Sequence, residues 1–227
     1  MTIRRWLPSA TAGGGTILNV GCGAVPLPGA RASWHVINLE VERKKAQRLV
    51  LYDGSFFPFR DNSFDGALCL DVVEHVENDS LMLAEVGRVL RPGATLVLTT
   101  PATEHDFKEV ALPLGKRARQ WSEAEAHWGH VRPGYEVGEL VCKCREAGLI
   151  VVGVEKYGGT IAQALYQLWY LRDLAWLFSK KLVLPWVFME LALSLDHLLF
   201  RNRGCAIAIK AVSSESVRRG GVSDPSA

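Results

Sequence analysis

Short apolar runs alternate with helical patterns along most of the chain. Residues 80–90 and 137–148 carry apolar side chains near helical spacing, and each pattern lies between runs that are typical of buried strands. Continuous apolar strands separated by helices indicate a largely parallel sheet with both faces covered. The pattern therefore predicts an α/β fold with a doubly wound, mostly parallel sheet. The strand-like runs are TILNV (16–20), HVINLE (35–40), FDGALCLD (64–71), ATLVLTTP (94–101), LIVVGVEKY (149–157) and CAIAIKAV (205–212).

Residues that break regular structure mark the ends of these elements and of the domain. Pro92-Gly93 is expected to end the first helix, and Gly148 the second. Residues 1–15 end in AGGG, and residues 213–227 are rich in Ser, Gly and Arg, so both are expected to be mobile tails. One domain is therefore expected over residues 16–212.

The small net charge argues against a nucleic-acid partner. The formal charge is +2, and Lys and Arg are spread along the chain instead of forming one basic stripe. The N-terminus has no apolar run of signal-peptide length, so we expect a cytoplasmic protein with five reduced cysteines. Cys142 and Cys144 would point to different sides of a helix, and no further ligands lie nearby in the sequence. We therefore expect no metal site.

A glycine-rich turn follows the first predicted strand. Gly21 and Gly23 form a Gly-x-Gly turn, which allows a ligand to approach the backbone because no Cβ intervenes. A tight turn without a ligand explains the same two residues. Glu40, at the end of the next predicted strand, is placed to accept hydrogen bonds from both hydroxyls of a ribose. An NAD-binding domain fits these features about as well, although Pro26 stands where its third glycine would be.

Later motifs separate these alternatives. Five of them occur in order: LNVGCG, NLE, DGSFFPFRDNSFD, VEHV and LAEVGRVLRPGATLVL. The chain thereby resembles the class I S-adenosylmethionine (SAM)-dependent methyltransferases, in particular the type 11 family. The resemblance is close from Ile17 to Pro101 and looser over residues 130–155. It implies a Rossmann-like sheet with an antiparallel last strand, and SAM as the cofactor. The family joins the last two strands by a short turn, where this chain is expected to have a helical insertion.

The resemblance also implies a role for each candidate binding residue. Gly21 and Gly23 would line the methionine part of SAM, and Glu40 would bind the ribose. Asp53-Gly54 would lie at the adenine, and Leu70-Asp71 beside the sulfonium.

Two features depart from the family pattern. Asn19 stands where an acidic residue is common, so it can bind backbone amides of the loop but supplies no charge to an ammonium group. Residues 21–34 are close to the minimum length for a parallel crossover, so a short or distorted first helix is expected.

Two histidines are candidates for handling the acceptor's proton. A general base is needed only where the acceptor atom carries a proton. His75 lies in VEHV and His130 in HWGHVRPGY, and the resemblance places both regions on the acceptor side. A structural role explains either histidine equally well.

An apolar segment distinguishes this chain from a minimal methyltransferase. Residues 160–203 contain 28 apolar residues among 44, and charged residues interrupt every run well short of membrane-spanning length. Three interpretations stay open: extra core, a lid over an apolar acceptor pocket, and a surface that docks on a membrane or a partner protein.

These features together predict a SAM-dependent methyltransferase acting on a lipophilic or lipid-linked small acceptor. The glycine-rich NVGCGAVPLPGA arrangement looks like a branch of the family linked to cell-envelope glycan and lipid synthesis. A quinone-type C-methyltransferase and a non-catalytic SAM-binding partner subunit are the alternatives. We expect a cytoplasmic protein that can associate with a membrane through residues 160–203.

Overall fold

Seven strands form one sheet in the computed structural model, which describes residues 6, 14–23, 34–103, 129–158, 195 and 204–214. The spatial order is β3-β2-β1-β4-β5-β7-β6. The strands are β1 (Gly15–Val20), β2 (Trp34–Glu40), β3 (Leu49–Leu51), β4 (Phe64–Leu70), β5 (Leu90–Pro101), β6 (Leu149–Tyr157) and β7 (Ala206–Ser213). A short 3-10 helix (Val73–His75) follows β4, and the α-helices are α1 (Asp79–Val89) and α2 (Val137–Glu146).

The strand directions confirm the predicted sheet. Strands β1 to β5 pair in parallel, whereas β7 is inserted antiparallel between β5 and β6. From β1 the chain proceeds outward through β2 and β3, and then returns to the other side of β1 with β4. This reversal creates a topological switch point between β1 and β4, the place where open α/β sheets bind ligands.

Both faces of the sheet are buried, as the continuous apolar strands predict. Successive strand residues point to opposite faces, so Leu18 joins the larger core cluster while its neighbour Ile17 joins the smaller one. On the larger side, helices α1 and α2 contribute buried residues such as Leu83 and Leu140. On the other side, Trp6 packs against a cluster of Ile17, Trp34, Leu68 and Val97. At least this residue of the N-terminal fifteen therefore contacts the sheet.

Helix α1 approaches the end of α2 so closely that one position excludes a side chain. A Cβ at Gly87 would lie 2.2 Å from the Ala147 carbonyl oxygen. Glycine inside a helix costs about 0.5–1 kcal/mol relative to alanine. Here the close packing of the two helices explains its presence.

The first predicted helix ends earlier than its Pro-Gly pair indicates. Helix α1 stops at Val89, because Leu90 is already extended and pairs with Phe64. Pro92 and Gly93 lie inside β5, where the pairing with β4 shifts register between Phe64 and Gly66, and Gly93 has a φ of 77°. A local irregularity in the pairing accommodates a proline in a strand. The predicted strand 94–101 is correspondingly longer.

Several predicted features lie outside the described residues. These are the insertion 160–203 apart from Leu195, most of the tails 1–15 and 213–227, and the crossover at 24–33. Residues Gly15 and Ser213, at the predicted tail boundaries, belong to β1 and β7. Within the described ranges, no helix combines the length and apolar character needed to cross a membrane.

Candidate functional site

The carboxyl ends of the parallel strands bring most of the predicted site residues to one edge of the sheet. The Gly21–Gly23 turn follows β1, and Glu40 ends β2. Asp53 follows β3, and Asp71 follows β4. Four segments that are distant in sequence therefore meet at one edge of the sheet, on both sides of the switch point, where sheets of this kind have their ligand-binding crevice.

The turn after β1 requires glycine for two different reasons. Gly21 has a φ of 61°, and a Cβ there would lie 2.4 Å from Cγ2 of Val72. The turn is therefore pressed against the segment that follows β4. Gly23 also has a positive φ, 58°, but a Cβ there would meet nothing within 4 Å. Beside Gly23 the described residues leave open space.

Glu40 joins the ends of β1 and β2. Its side chain is buried, and Oε1 accepts a hydrogen bond of 2.8 Å from the Gly23 backbone amide. The Gly21 amide in turn donates to the Leu39 carbonyl oxygen at 2.9 Å. No described residue donates to Oε2, which is therefore the acceptor that the carboxylate can offer to a ligand hydroxyl.

Asp53 is exposed and shapes a turn of its own. Its Oδ1 accepts from the Ser55 amide at 2.9 Å, and Gly54 between them has a φ of 87°. Aspartate commonly stabilises turns in this way. The Tyr52 amide donates to the Glu40 carbonyl oxygen at 3.0 Å, which holds the end of β3 beside the end of β2. Asp53 and Glu40 thus lie at the ends of adjacent strands.

Asn19 contacts a different partner from the one expected. Its buried Nδ2 donates to Oδ1 of Asn38, the residue directly opposite on β2, at 2.8 Å. Asn38 then donates to the Gln47 carbonyl oxygen at 2.7 Å. The amide pair ties β1 to β2, whereas sequence reasoning expected Asn19 to bind amides of the glycine turn.

Leu70 is half-buried at the end of β4, and Asp71 is exposed with an unusual backbone. Asp71 has a φ of 53°, a region that aspartate tolerates better than most residues. Its amide donates to the Thr99 carbonyl oxygen at 3.0 Å, and Thr99 Oγ1 donates to its Oδ1 at 2.9 Å. Sequence reasoning missed Thr99, which carries no motif and is identified only by the β4–β5 pairing.

The two candidate histidines lie against each other although they are far apart in the sequence. The His75 and His130 rings make an edge-to-face contact with centroids 4.4 Å apart. His75 Nδ1 lies 3.2 Å from the Gly129 carbonyl oxygen, and the Val131 amide donates to the Glu74 carbonyl oxygen at 3.0 Å. The segment at 129–131 is therefore anchored on the 3-10 helix.

Glu74 lies beside this pair, and sequence reasoning missed it. Its side chain is buried, and its Oε2 accepts from Thr100 Oγ1 at 3.0 Å. Burial and, to a smaller extent, the nearby Asp71 carboxylate raise the pKa of Glu74 to about 7. The VEHV motif drew attention to its histidine, and no sequence signal separated the glutamate from an ordinary surface residue.

A second set of contacts fixes the segment that carries His130. The Tyr135 amide donates to the Pro101 carbonyl oxygen, and the Thr103 amide donates to the Tyr135 carbonyl oxygen, both at 3.0 Å. Tyr135 is fully buried, and its hydroxyl donates to Oδ2 of Asp79 at 2.6 Å. Arg132 also pairs with Asp79, at 2.9 Å. Residues 129–135 are thus joined to β5 and to the start of α1.

The part of the chain that carries most of the candidate site residues is similar to known methyltransferase domains. Residues 18–98 match the family model described as "Methyltransferase domain". The chain is 26% identical over 153 residues to "Probable tRNA methyltransferase 9B" of Mus musculus, covering 58% of this chain and 34% of that protein. It is 33% identical over 103 residues to "O-methyltransferase rstn1" of Aspergillus nomiae, covering 37% and 46%. It is 32% identical over 113 residues to "24-methylenesterol C-methyltransferase 2" of Arabidopsis thaliana, covering 42% and 31%.

The matched region spans less than half the length of each of these relatives. Solved structures extend the similarity of the fold over most of the chain. A Haemonchus contortus phosphoethanolamine N-methyltransferase 2 in complex with S-adenosyl-L-methionine has a TM-score of 0.59 at 16% identity, covering 94% of this chain and 51% of that one. A S-adenosylmethionine-dependent methyltransferase from Mesorhizobium loti has a TM-score of 0.57 at 20% identity, covering 93% and 95%.

Proposed function

Because the chain belongs to the class I SAM-dependent methyltransferases by its matched domain and its fold, we propose that it transfers a methyl group from SAM to a lipophilic or lipid-linked small acceptor. The observation that carries the assignment of the cofactor is the link between Glu40 and the Gly21–Gly23 turn at the switch point. The proposed lipophilic class of the acceptor is supported by a second observation, the edge of the sheet at which residues 160–203 are inserted.

The crevice fits SAM at each point where its residues are described. No residue in the described part of the chain lies within 4 Å of a Cβ at Gly23, where we place the methionine moiety, and Gly21 keeps the turn against the segment after β4. Oε2 of Glu40 is available to the ribose, while Asp53-Gly54 would hold the adenine at the neighbouring strand end. Leu70 and Asp71 would flank the sulfonium. Asn19 supports this arrangement by joining β1 to β2.

SAM supplies a methyl group that is already activated for displacement by a nucleophile. The chain's own residues have to position the acceptor, exclude water and receive a proton where the acceptor atom carries one. His75 lies in the 3-10 helix that follows β4, and His130 packs against it from a segment that Tyr135 joins to the end of β5. These two histidines are our candidates for handling the acceptor's proton.

The apolar segment leaves from the same edge of the sheet. Tyr157 at the end of β6 and Pro101 at the end of β5 both pair with Ala206, the first residue of β7. Residues 158–205 therefore connect β6 to β7 at the ligand edge of the sheet. The Ala102 amide also donates to the Cys205 carbonyl oxygen at 2.8 Å. A segment with 28 apolar residues among 44 at this position suits an apolar acceptor, and its interleaved Trp, Tyr, Lys and Arg suit a membrane surface. A cytoplasmic protein that associates with membranes through 160–203 is part of the proposal.

One relative favours a second candidate function. The identity to a sterol C-methyltransferase, 32%, is close to the 33% identity to an O-methyltransferase, so methyl transfer to a carbon atom of an apolar acceptor, such as a quinone, is the alternative. A SAM-binding subunit that supports another enzyme would share the same fold without turnover.

The experiment that tests the proposal uses the full chain, labelled SAM and a total lipid and glycan extract. Mass analysis of the extract should show label in an apolar or lipid-linked product, and the Glu40→Ala variant should produce much less. Label only in polar small molecules would contradict the acceptor class. SAM binding without any labelled product would favour the supporting-subunit alternative.

A further inference from the structure

Three potential metal ligands meet at the end of β4, a site that the methyltransferase proposal does not require. Glu74, His75 and His130 each offer one ligand atom, and these atoms all lie within 4.8 Å of one another. We propose that these three residues bind a divalent transition-metal cation, of which zinc is the species that two imidazoles and one carboxylate favour. The inference goes beyond methyl transfer, because the site can bind its cation without SAM.

The contacts around the cluster leave one ligand atom available on each of two residues. His75 Nδ1 lies 3.2 Å from the Gly129 carbonyl oxygen, so a proton on Nδ1 makes Nε2 the ligand nitrogen. Metal-binding histidines usually donate their other ring N–H in this manner. Thr100 Oγ1 donates to Oε2 of Glu74 at 3.0 Å, which orients the carboxylate and leaves Oε1 for a cation.

Charge in this part of the crevice also favours a cation. Glu74 is buried, and no Lys or Arg among the described residues forms an ion pair with it. The Asp71 carboxylate acts on it as a like charge. A buried carboxylate without an opposite charge is costly, and a bound cation would compensate both acids.

The surrounding structure holds the ligands near each other but does not close the site. Glu74 is buried, His130 is half-buried and His75 is exposed, so the cluster opens to solvent on the His75 side. Ligand atoms around a tetrahedral zinc lie about 3.4 Å apart, given zinc–nitrogen distances of about 2.1 Å. Binding therefore requires an inward shift of side chains on the order of 1 Å, which an exposed imidazole can make.

Three protein ligands leave one coordination position for a substrate or water, the arrangement of catalytic rather than structural zinc sites. This consequence rests on the proposed function: an acceptor hydroxyl bound at that position would lose its proton to water more readily. His75 and His130 would then serve the acceptor by holding the cation.

Sequence reasoning expected no metal because it considered only the cysteine pair, and only the fold brings the two histidines together.

The test is a cobalt titration of the untagged, chelator-treated full chain in the absence of SAM. Isothermal calorimetry and the visible ligand-field absorption of Co²⁺ should show one saturable equivalent. His75→Ala, His130→Ala and Glu74→Gln should each weaken Co²⁺ binding at least about 100-fold, the upper end of what loss of an outer-shell partner alone causes. Thr100→Val, which keeps the shape of the side chain but removes its hydroxyl, should weaken it about 10- to 100-fold.

The matched control is His35→Ala, since His35 is an exposed histidine on β2 at the opposite end of the strand from the crevice. Its Co²⁺ affinity should equal that of the unmodified chain. Melting temperature without metal checks that each variant folds, and His75 is exposed, so its variant should melt normally. Absence of saturable Co²⁺ binding to the unmodified chain would overturn the site. So would folded His75→Ala and His130→Ala variants that bind Co²⁺ as tightly as the unmodified chain does. Calorimetry with SAM, run separately, distinguishes this failure from a failure of the proposed function.

Discussion

At the residue scale, the proposed function gives Glu40 both a structural and a binding role in one carboxylate. One oxygen fixes the Gly23 amide, and the other is available to a ribose hydroxyl. The arrangement means that the glycine turn and the proposed ribose contact depend on each other. Asn19 contributes to the same region structurally, because its Nδ2 donates to Asn38 on the neighbouring strand.

Removing the Glu40 carboxylate should weaken SAM binding about 5- to 150-fold, since unpaired buried groups cost roughly 1–3 kcal/mol. Glu40→Gln should also lose affinity, because an amide nitrogen cannot accept from a hydroxyl even if its oxygen retains the Gly23 bond. Calorimetry with SAM and with NAD measures both variants. The control is Glu42→Ala, which removes an exposed acid two residues later that forms an ion pair with Lys44. Unchanged SAM affinity in Glu40→Ala, or saturable binding of NAD alone, would show that the cofactor is wrongly placed.

The two glycines of the turn should respond unequally to the same substitution. Gly21→Ala and Gly23→Ala both place a Cβ on a left-handed backbone, which costs roughly 1–2 kcal/mol. Gly21→Ala additionally forces a Cβ into Val72 at 2.4 Å, whereas the Cβ of Gly23→Ala meets no described residue within 4 Å. Denaturant unfolding should therefore show a larger loss of stability for Gly21→Ala. Adding Val72→Ala should restore part of that loss. Equal effects of the two single variants would contradict the close approach.

At the element scale, Glu85 and Arg88 attach helix α1 to the loop that precedes β4. Glu85 Oε2 accepts from the Phe57 amide at 2.8 Å, and Arg88 donates to the carbonyl oxygens of Phe57 and Phe59. Arg88 also pairs with Asp61 at 2.7 Å. The residues around RDNSFD thus help to hold the fold together.

This attachment predicts a pH-dependent contribution to stability. Burial raises the pKa of Glu85, but hydrogen bonds from Arg88 and Phe57 outweigh it and hold the pKa below the ordinary value of 4.5. Because the folded pKa is the lower one, the contribution is fully present above pH 4.5 and is lost as pH falls through the folded pKa. The difference in unfolding free energy between the unmodified chain and Glu85→Gln should therefore be large near pH 7 and shrink in acid.

Glu146→Gln, which changes an exposed acid at the end of α2, provides the control and should show little difference at either pH. Urea unfolding at several pH values measures both variants. A difference for Glu85→Gln that stays constant between pH 7 and pH 3 would mean that the charge of Glu85 does not stabilise the fold.

The elements with strong periodicity were predicted well, because burial on a sheet face or helix face leaves a long apolar signal. Strand β6 was predicted with its observed bounds, and α2 within two residues at its end. Strand β3 was missed, since its three residues at the sheet edge are too short for any period to show. In the site, Glu40 and the glycines follow from motifs, whereas the contact of His75 with His130 depends on chain segments that only the fold brings together.

At the scale of the whole molecule, the proposed function divides the sheet into a cofactor half and an acceptor half. Strands β1 to β4 carry the glycine turn and the acids proposed for SAM, while β5 to β7 carry the connections proposed to serve the acceptor. Residues 158–205 join β6 to β7 at this second half. The Cys205 amide donates to the Gly158 carbonyl oxygen at 3.2 Å, so the two ends of the connection already meet as a hairpin would.

That closure allows the insertion to be removed without stretching the sheet. Replacing residues 160–203 with a short polar turn should leave SAM affinity within about threefold of the unmodified chain, a change of less than 1 kcal/mol, because the cofactor half is untouched. Methylation of a lipophilic acceptor and association with liposomes should both fail. Milder changes, Trp169→Ala and Trp176→Ala, should weaken liposome association while SAM binding persists.

If the segment is extra core instead, the deletion variant will melt early and bind no SAM, and the tryptophan variants will lose about 3–5 kcal/mol of stability, as large-to-small core substitutions do. Melting temperature and SAM calorimetry on the same samples therefore decide between a segment that serves the acceptor and one that completes the fold, and the second outcome would remove the support for a lipophilic acceptor.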